Sequence, residues 1–263
     1  MDYNDLERNI TDFNVRGYES IHTEVDENNQ SVLVFSDIKP MVGRKTAPKF
    51  ESKLRNRIVE VPKEIYEASG IEIFGKRIKS LLFSTDVAII RNSNAQSIIA
   101  VYPFTPLATI MQSIVSIASV PVFVGVGGGT TTGSRSVYLA IQAEQMGAYG
   151  VVVNAPMENS VIKEISINID IPLIATVSSF KDDFLGKIKA GATMLNVSGG
   201  ARTAELVAHI RSEIGEEFPI IATGGPTAEQ IKMTIKAGAN AITYTPPTSA
   251  EIFAELMKKY RGD

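Results

Sequence analysis

From Lys79 onward, short apolar runs alternate with longer segments of helical period, and the alternation repeats eight times. Few architectures accept that pattern. The apolar runs at 80–84, 97–102, 121–126, 150–154, 172–177, 193–197, 219–223 and 241–244 are continuous rather than alternating. Strands apolar on both sides need cover on both faces, which a parallel sheet wrapped in helices supplies. Helix starts follow strand ends at Thr227-x-x-Gln230 and Thr248-x-x-Glu251, where a hydroxyl can cap the first turn.

A coarse repeat of two modules supports the same reading. Pro121, Pro172 and Pro219 each open a strand, and Gly147-Ala148, Gly191-Ala192 and Gly238-Ala239 each close a helix before the next one. The alternative is a doubly wound open sheet. Eight consecutive modules of similar length, with no second strand-order signal, favour closure. The fold expected is therefore α/β: a closed (βα)8 barrel over 79–263, with residues 1–78 as an α+β extension packed on it. Within that extension the strand-like runs are 31–35 and 57–61, and 63–69 has a short helical period.

Charge is split within the extension. Residues 1–30 are acidic, whereas 39–57 carries Lys39, Arg44, Lys45, Lys49, Lys53, Arg55 and Arg57 against Glu51 alone. That segment reads either as an anion-binding arm or as a solvated loop paired with acidic neighbours. Aromatic residues are almost absent from it, which weakens a nucleic-acid role, and the formal charge of −3 gives no overall pull toward polyanions. Nucleic acid is not expected as a partner.

The chain has no cysteine, which removes disulfides, thiolate nucleophiles and Cys-ligated zinc. Its two histidines, His22 and His209, lie far apart, so neither a His-based metal site nor a Ser-His-Asp triad is expected, and no metal is assigned. No charged residue occurs between Arg91 and Arg135, but Pro103, Pro106 and Pro121 cut that stretch into pieces too short to span a bilayer. The polar, acidic start at 1–12 is unlike a secretory signal. A cytoplasmic location without membrane contact is the expectation.

In a barrel of this kind the loops after the strands form the active face. Gly127-Gly128-Gly129-Thr130-Thr131-Thr132-Gly133 follows the third strand, Ser198-Gly199-Gly200 the sixth, Thr223-Gly224-Gly225-Pro226-Thr227 the seventh, and Thr245-Pro246-Pro247-Thr248 the eighth. Glycine lets a backbone approach an anion and threonine adds hydroxyls, although glycine also serves tight turns. Gly128, Gly129, Ser198, Gly199, Gly200, Thr223, Gly224, Gly225 and Thr245 are the ligand- or phosphate-binding candidates. Aligned repeats place Thr176, Asn196, Thr223 and Thr243 on equivalent positions, with Asn154 in the same register. An inward-facing set would line the upper barrel with small neutral groups, serving either a ligand or one another.

Ionisable groups near that face are few. Asp86, Lys181 and Glu158, with the amide of Asn154, are the catalytic candidates. A carboxylate at a strand end can act as a base and a lysine can hold an oxyanion, yet each also suits a solvated helix start. The helix predicted over 107–119 shows an uncharged outer stripe of Thr109, Gln112, Ser116 and Ser119, which suggests cover by a second subunit or by the extension, hence a homo-oligomer.

The segment Phe218-Pro-Ile-Ile-Ala-Thr-Gly-Gly-Pro-Thr-Ala-Glu-Gln, followed by Ile235-Lys-Ala-Gly-Ala-Asn-Ala-Ile, resembles the last two strands of phosphate-binding TIM barrels. The run from Gly125 to Asn154 looks like the thiazole synthase branch of that superfamily, and the chain is also similar to uncharacterised bacterial TIM-barrel proteins labelled hydrolases. The resemblance implies that Gly224 and Gly225 donate amides to a substrate phosphate. It departs after the eighth strand, where Thr245-Pro246-Pro247-Thr248 replaces Gly-Ser and the proline removes a donor. It supplies neither a strand-borne catalytic lysine nor Asp-x-Lys-x-x-Asp.

The function expected is an enzyme acting on a small phosphorylated or anionic metabolite, as isomerase, lyase or synthase, or hydrolase. The alternative is a non-catalytic barrel that senses a ligand or serves assembly. No cofactor is assigned; a flavin, held through its phosphate, is a third possibility.

Overall fold

A computed structural model of the chain describes residues 21–25, 31–35 and 58–262. The chain divides into two units, Met1–Lys53 and Leu54–Asp263. In the first, β1 (Ile21–Val25) pairs antiparallel with β2 (Ser31–Phe35). The basic segment 39–57 lies outside the described residues.

The second unit is a closed parallel barrel of eight strands: β5 (Ser80–Phe83), β6 (Ser97–Ala100), β7 (Val122–Gly127), β8 (Gly150–Val153), β9 (Leu173–Val177), β10 (Met194–Val197), β11 (Ile220–Thr223) and β12 (Ala241–Tyr244). Pairing of Ile242 with Ser80 and Tyr244 with Leu82 closes the ring between last and first strands. Eight helices alternate with them: α1 (Val87–Arg91), α2 (Ala108–Ile117), α3 (Ser134–Gln145), α4 (Asn159–Ser166), α5 (Phe184–Lys189), α6 (Thr203–Ile214), α7 (Ala228–Lys236) and α8 (Ser249–Arg261). Both capping boxes form, Thr227 with Gln230 and Thr248 with Glu251.

Continuous apolar strands follow from two cores rather than one. Alternate residues such as Leu82, Ile98, Val124, Val151 and Leu195 face outward onto Ile114, Ile162, Leu206 and Ile210 of the helices. The other set, Leu81, Ile99, Phe123, Val152, Ile174, Met194, Ile221 and Ala241, fills the barrel interior. Each is nearly or fully buried, so most strand positions contribute to one core or the other.

The bottom of the barrel is plugged by an element the sequence reading left inside an irregular extension. Strands β3 (Ile71–Ile73) and β4 (Lys76–Ile78) form a hairpin that packs Ile71, Ile73 and Ile78 against the interior set. Its tight turn puts Phe74 at φ 47° and Gly75 at φ 73°, and Phe74 rests edge-on against Tyr149, with ring centroids 5.4 Å apart. The strands are three residues each and the turn is Phe-Gly rather than Asn-Gly, which hid the hairpin. Upstream, Lys63–Glu67 is a 3-10 turn whose Ile65 is fully buried, and Val59 makes a single parallel bridge to Ser93 instead of a strand.

Candidate functional site

The ends of β10, β11 and β12 open onto a cavity of about 760 Å³, lined by Ser198, Gly200, Thr203, Thr223, Gly224, Gly225, Gln230, Thr243 and Thr245 among others. No lining residue is charged. A second cavity of about 530 Å³ lies over β5 and β12, with Asp86, Tyr102, Asn154, Thr245 and Pro246 in its wall. A third, of about 270 Å³, is bounded by Tyr102, Pro106, Gly129, Thr131 and Asn154. Thr245 belongs to the first two, and Tyr102 and Asn154 to the last two, so the three form one continuous mouth.

Period-two alternation sets what faces that mouth. Two residues above the interior set on β9 to β12 stand Thr176, Asn196, Thr223 and Thr243, the neutral belt expected from the repeats. Part of the belt satisfies itself: the Asn196 Nδ2 lies 3.3 Å from Thr176 Oγ1, and the Thr203 and Thr223 hydroxyls are 3.2 Å apart. Part does not, because Asn196 Oδ1 and Thr243 Oγ1 are buried without a partner.

The glycines divide into those that shape turns and those that present donors. Gly128 sits at φ 120°, its N–H donates to the Thr131 carbonyl at 2.8 Å, and an added Cβ would collide with the Asn154 backbone at 2.6 Å. Its role is close packing, and Gly129 alone of that pair lines a cavity. The Gly199 N–H goes to Thr203 Oγ1 at 3.1 Å, and the Gly224 N–H goes to the Thr243 carbonyl at 3.2 Å. In the ligand-free chain, neighbouring carbonyls or hydroxyls already hold the N–H hydrogens of Gly128, Gly199 and Gly224. The N–H groups of Gly200 and Gly225 find no acceptor among the described residues, and both residues line the cavity at the ends of β10, β11 and β12. The turn at Gly200 leads into α6 and that at Gly225 into α7, so residues preceding two helix starts line the same cavity.

Asp86 reaches the mouth but is occupied. One oxygen accepts the N–H groups of Ala88 (2.8 Å) and Ile89 (3.2 Å), capping α1, and the other accepts the Ser249 hydroxyl. The Ser249 hydrogen bond is the largest effect on the Asp86 carboxyl and holds it below its ordinary value; burial, the next largest, opposes it, and the backbone bonds from Ile89 and Ala88 lower it further. A carboxylate so stabilised as the anion, with both oxygens bonded, is a poor proton acceptor.

Glu158 and Lys181 are not brought to the mouth. They line a separate cleft with Asn159, Asp182, Asp183 and Lys187. The turn holding Lys181 is closed by Asp182, whose carboxylate accepts the Ser178 and Ser179 N–H groups at 2.7 and 3.2 Å, and this directs Lys181 to the side. Arg202, at the next strand end, pairs with Glu205 at 2.8 Å and lies over the Phe180 ring. The sequence reading missed Lys187, only 3% exposed, whose ammonium donates to the carbonyls of Ala155 (2.8 Å) and Met157 (3.3 Å) just after Asn154. Burial pushes its pKa down, partly opposed by Asp182 and Asp183. It also missed Thr203, buried at the α6 start. A hydroxyl four residues after Gly199 was the available signal.

No protein-family model matches the chain, and no curated protein matches it. Solved structures do. Oxaloacetate acetylhydrolase superposes with a TM-score of 0.56 at 12% identity, covering 79% of this chain and 84% of its own. For 2,3-dimethylmalate lyase, a PEP mutase/isocitrate lyase superfamily member, the values are 0.54, 12%, 75% and 83%. Phosphonopyruvate hydrolase in complex with oxalate and Mg²⁺ gives 0.52, 15%, 70% and 80%. At such identities the likeness is one of fold, and it upholds the TIM-barrel resemblance. It does not support the thiazole synthase branch.

The magnesium named with phosphonopyruvate hydrolase has no matching ligand cluster among the described residues. Among the described residues, no three His, Cys, Asp or Glu side chains gather where they could hold a metal. The mouth offers hydroxyls, amides and one carboxylate already bonded twice over, which do not fit a divalent cation. No described helix is long and apolar enough to cross a membrane.

Proposed function

We propose that the chain is a TIM-barrel enzyme acting on a small phosphorylated or otherwise anionic metabolite, with the anion seated at the ends of β10 and β11. The observation that carries this reading is that Gly200 and Gly225, exposed residues whose N–H groups have no acceptor among the described residues, line one cavity at the starts of α6 and α7. Backbone amides and helix N-termini bind phosphate without any charged side chain. The structural neighbours act on or bind small anions by name, oxaloacetate, oxalate and phosphonopyruvate among them, which agrees with the substrate class.

The reacting part of the substrate extends toward Thr245, Asn154 and Tyr102. Asn154 has no side-chain hydrogen bond to a described residue and is poised to orient a carbonyl or hydroxyl, whereas the Tyr102 hydroxyl accepts the Leu107 N–H at 2.9 Å and keeps its own hydrogen to give. These two, rather than Asp86, Glu158 or Lys181, are our candidates for the chemistry.

Inorganic phosphate added to the purified protein tests the binding half: a rise in melting temperature, with the anion found at Gly200 and Gly225 in soaked crystals, is expected. Absence of both defeats the proposal. A turnover screen of phosphorylated metabolites tests the catalytic half. The scarcity of titratable groups at the mouth favours one second reading, a barrel that binds such a ligand without converting it. Phosphate binding with no turnover of any ligand that stabilises the protein would establish that version. Oligomerisation through the uncharged, exposed stripe of α2 is proposed alongside either; a Gln112→Glu, Ser116→Lys variant should run smaller than the native chain by light scattering.

A further inference from the structure

Hydroxyl groups in the cavity at the ends of β10, β11 and β12 have directions fixed by their neighbours. Thr203 owns one hydroxyl hydrogen, and the Gly200 carbonyl, 2.8 Å away, can only accept it. The Gly199 N–H fills one lone pair of the same oxygen at 3.1 Å. In the contact between Thr203 and Thr223 the donor must then be Thr223. Its hydrogen is spent, and it presents only lone pairs to the cavity.

Thr243 lies beside it in register, is 5% exposed and lines the same cavity, yet its hydroxyl has no partner. Asn196, on the same inward face, leaves its amide oxygen unpartnered while its nitrogen meets Thr176. Buried polar atoms without partners are rare in folded proteins and costly to maintain. At the bottom of the same barrel, by contrast, Asn240 engages Ser69, Arg211 and the Ile220 N–H.

We infer that the part of the ligand inserted among β10, β11 and β12 is an uncharged carbon chain bearing hydroxyls, so that the preferred ligand is a phosphate monoester of a polyol rather than a dicarboxylate. This rests on the anion site proposed above and adds the identity of what is attached to the anion. A ligand hydroxyl donates to Thr223, and it can donate or accept at Thr243, which lines the same cavity. A carboxylate oxygen brings no hydrogen and would set lone pair against lone pair at Thr223. With no cation in the wall, nothing offsets that repulsion.

Calorimetric titration of the full chain with inorganic phosphate, n-propyl phosphate, glycerol 1-phosphate, oxalate and uncharged xylitol decides the matter. Glycerol 1-phosphate should bind at least about tenfold more tightly than n-propyl phosphate, which differs only in lacking the hydroxyls, and oxalate should bind more weakly than either. Thr243→Val, close to isosteric, should bring the ratio of the two esters to within about twofold of unity and leave inorganic phosphate affinity unchanged. Equal affinity for the two esters in the native chain, or oxalate binding as tightly as glycerol 1-phosphate, overturns the inference, and this comparison stands even if the variant does not fold. Failure of every phosphate compound to bind overturns the anion reading instead. In that event xylitol binding weakened at least about threefold by Thr243→Val would still support the hydroxyl assignment, and no xylitol binding would overturn it.

Discussion

The two ends of the barrel treat their polar groups in opposite ways. At the bottom, Arg211 donates to the carbonyls of Gly215, Gly238 and Phe218 and to Asn240 Oδ1, and Asn240 passes the network on to Ser69 and the Ile220 N–H. The Lys79 N–H meets Gln96 Oε1 at 2.8 Å, and three isoleucines of the β3–β4 hairpin close the interior. At the mouth, Thr243 and Asn196 keep buried atoms unpaired, and two glycine amides find no acceptor among the described residues. One end spends its hydrogen bonds on the fold. The other holds them in reserve, which is the pattern expected when a ligand completes the set.

Substitutions at the two ends should accordingly move stability in opposite directions. The largest effect belongs to the bottom: Arg211→Ala takes a donor from three carbonyls and from Asn240 Oδ1, which keeps only the Ile220 N–H, and should cost about 3 kcal/mol in urea unfolding. An unaltered midpoint would show that the network contributes nothing and would erase the contrast. At the mouth, Thr243→Val removes a buried hydroxyl that has no partner and should stabilise the ligand-free protein by about 1 kcal/mol, seen as a raised melting temperature. A loss instead of a gain would mean that Thr243 already has a structural partner.

Helix starts offer an intermediate case, since the Thr227 and Thr248 hydroxyls at the mouth end are taken up in capping their own helices. Thr248→Ala should lower stability by about 1 kcal/mol without altering phosphate affinity. The smallest effect concerns acid. Because the folded-state pKa of Asp86 is depressed, chiefly by Ser249, its contribution is present above the unfolded carboxyl value and disappears as pH falls through the folded one. Ser249→Ala should bring the two values closer, so the stability difference between native and variant proteins, measured by urea at a series of pH values, should be present at pH 7 and shrink below about pH 4. A difference that stays constant from pH 7 to pH 2 would remove Asp86 from the account.

Much of this was legible in the residue order because it is local. Runs of four to six apolar residues, prolines at strand starts, Gly-Ala at helix ends and the two threonine caps place all eight barrel strands within a residue or two of where they form. The neutral belt was also legible, since period-two alternation carries Thr176, Asn196, Thr223 and Thr243 to one face. The hairpin at 71–78 was not, because its pairing depends on a Phe-Gly turn and on the barrel floor it plugs.

For the site, the sequence determined which residues stand at strand ends, and with that the scarcity of charge around the mouth. It could not determine which of them are free. Gly199 and Gly200, or Gly224 and Gly225, look interchangeable as letters, and only the partner across the strand or at the next helix start decides which N–H remains available. Asp86, Glu158 and Lys181 look equally catalytic until Ser249, from the far end of the chain, takes the first and a turn closed by Asp182 carries the last aside. Hydrogen-bond capacity is a local property of each group, whereas its use is settled by whatever the fold sets beside it, even when that neighbour is as distant in sequence as Ser249 is from Asp86.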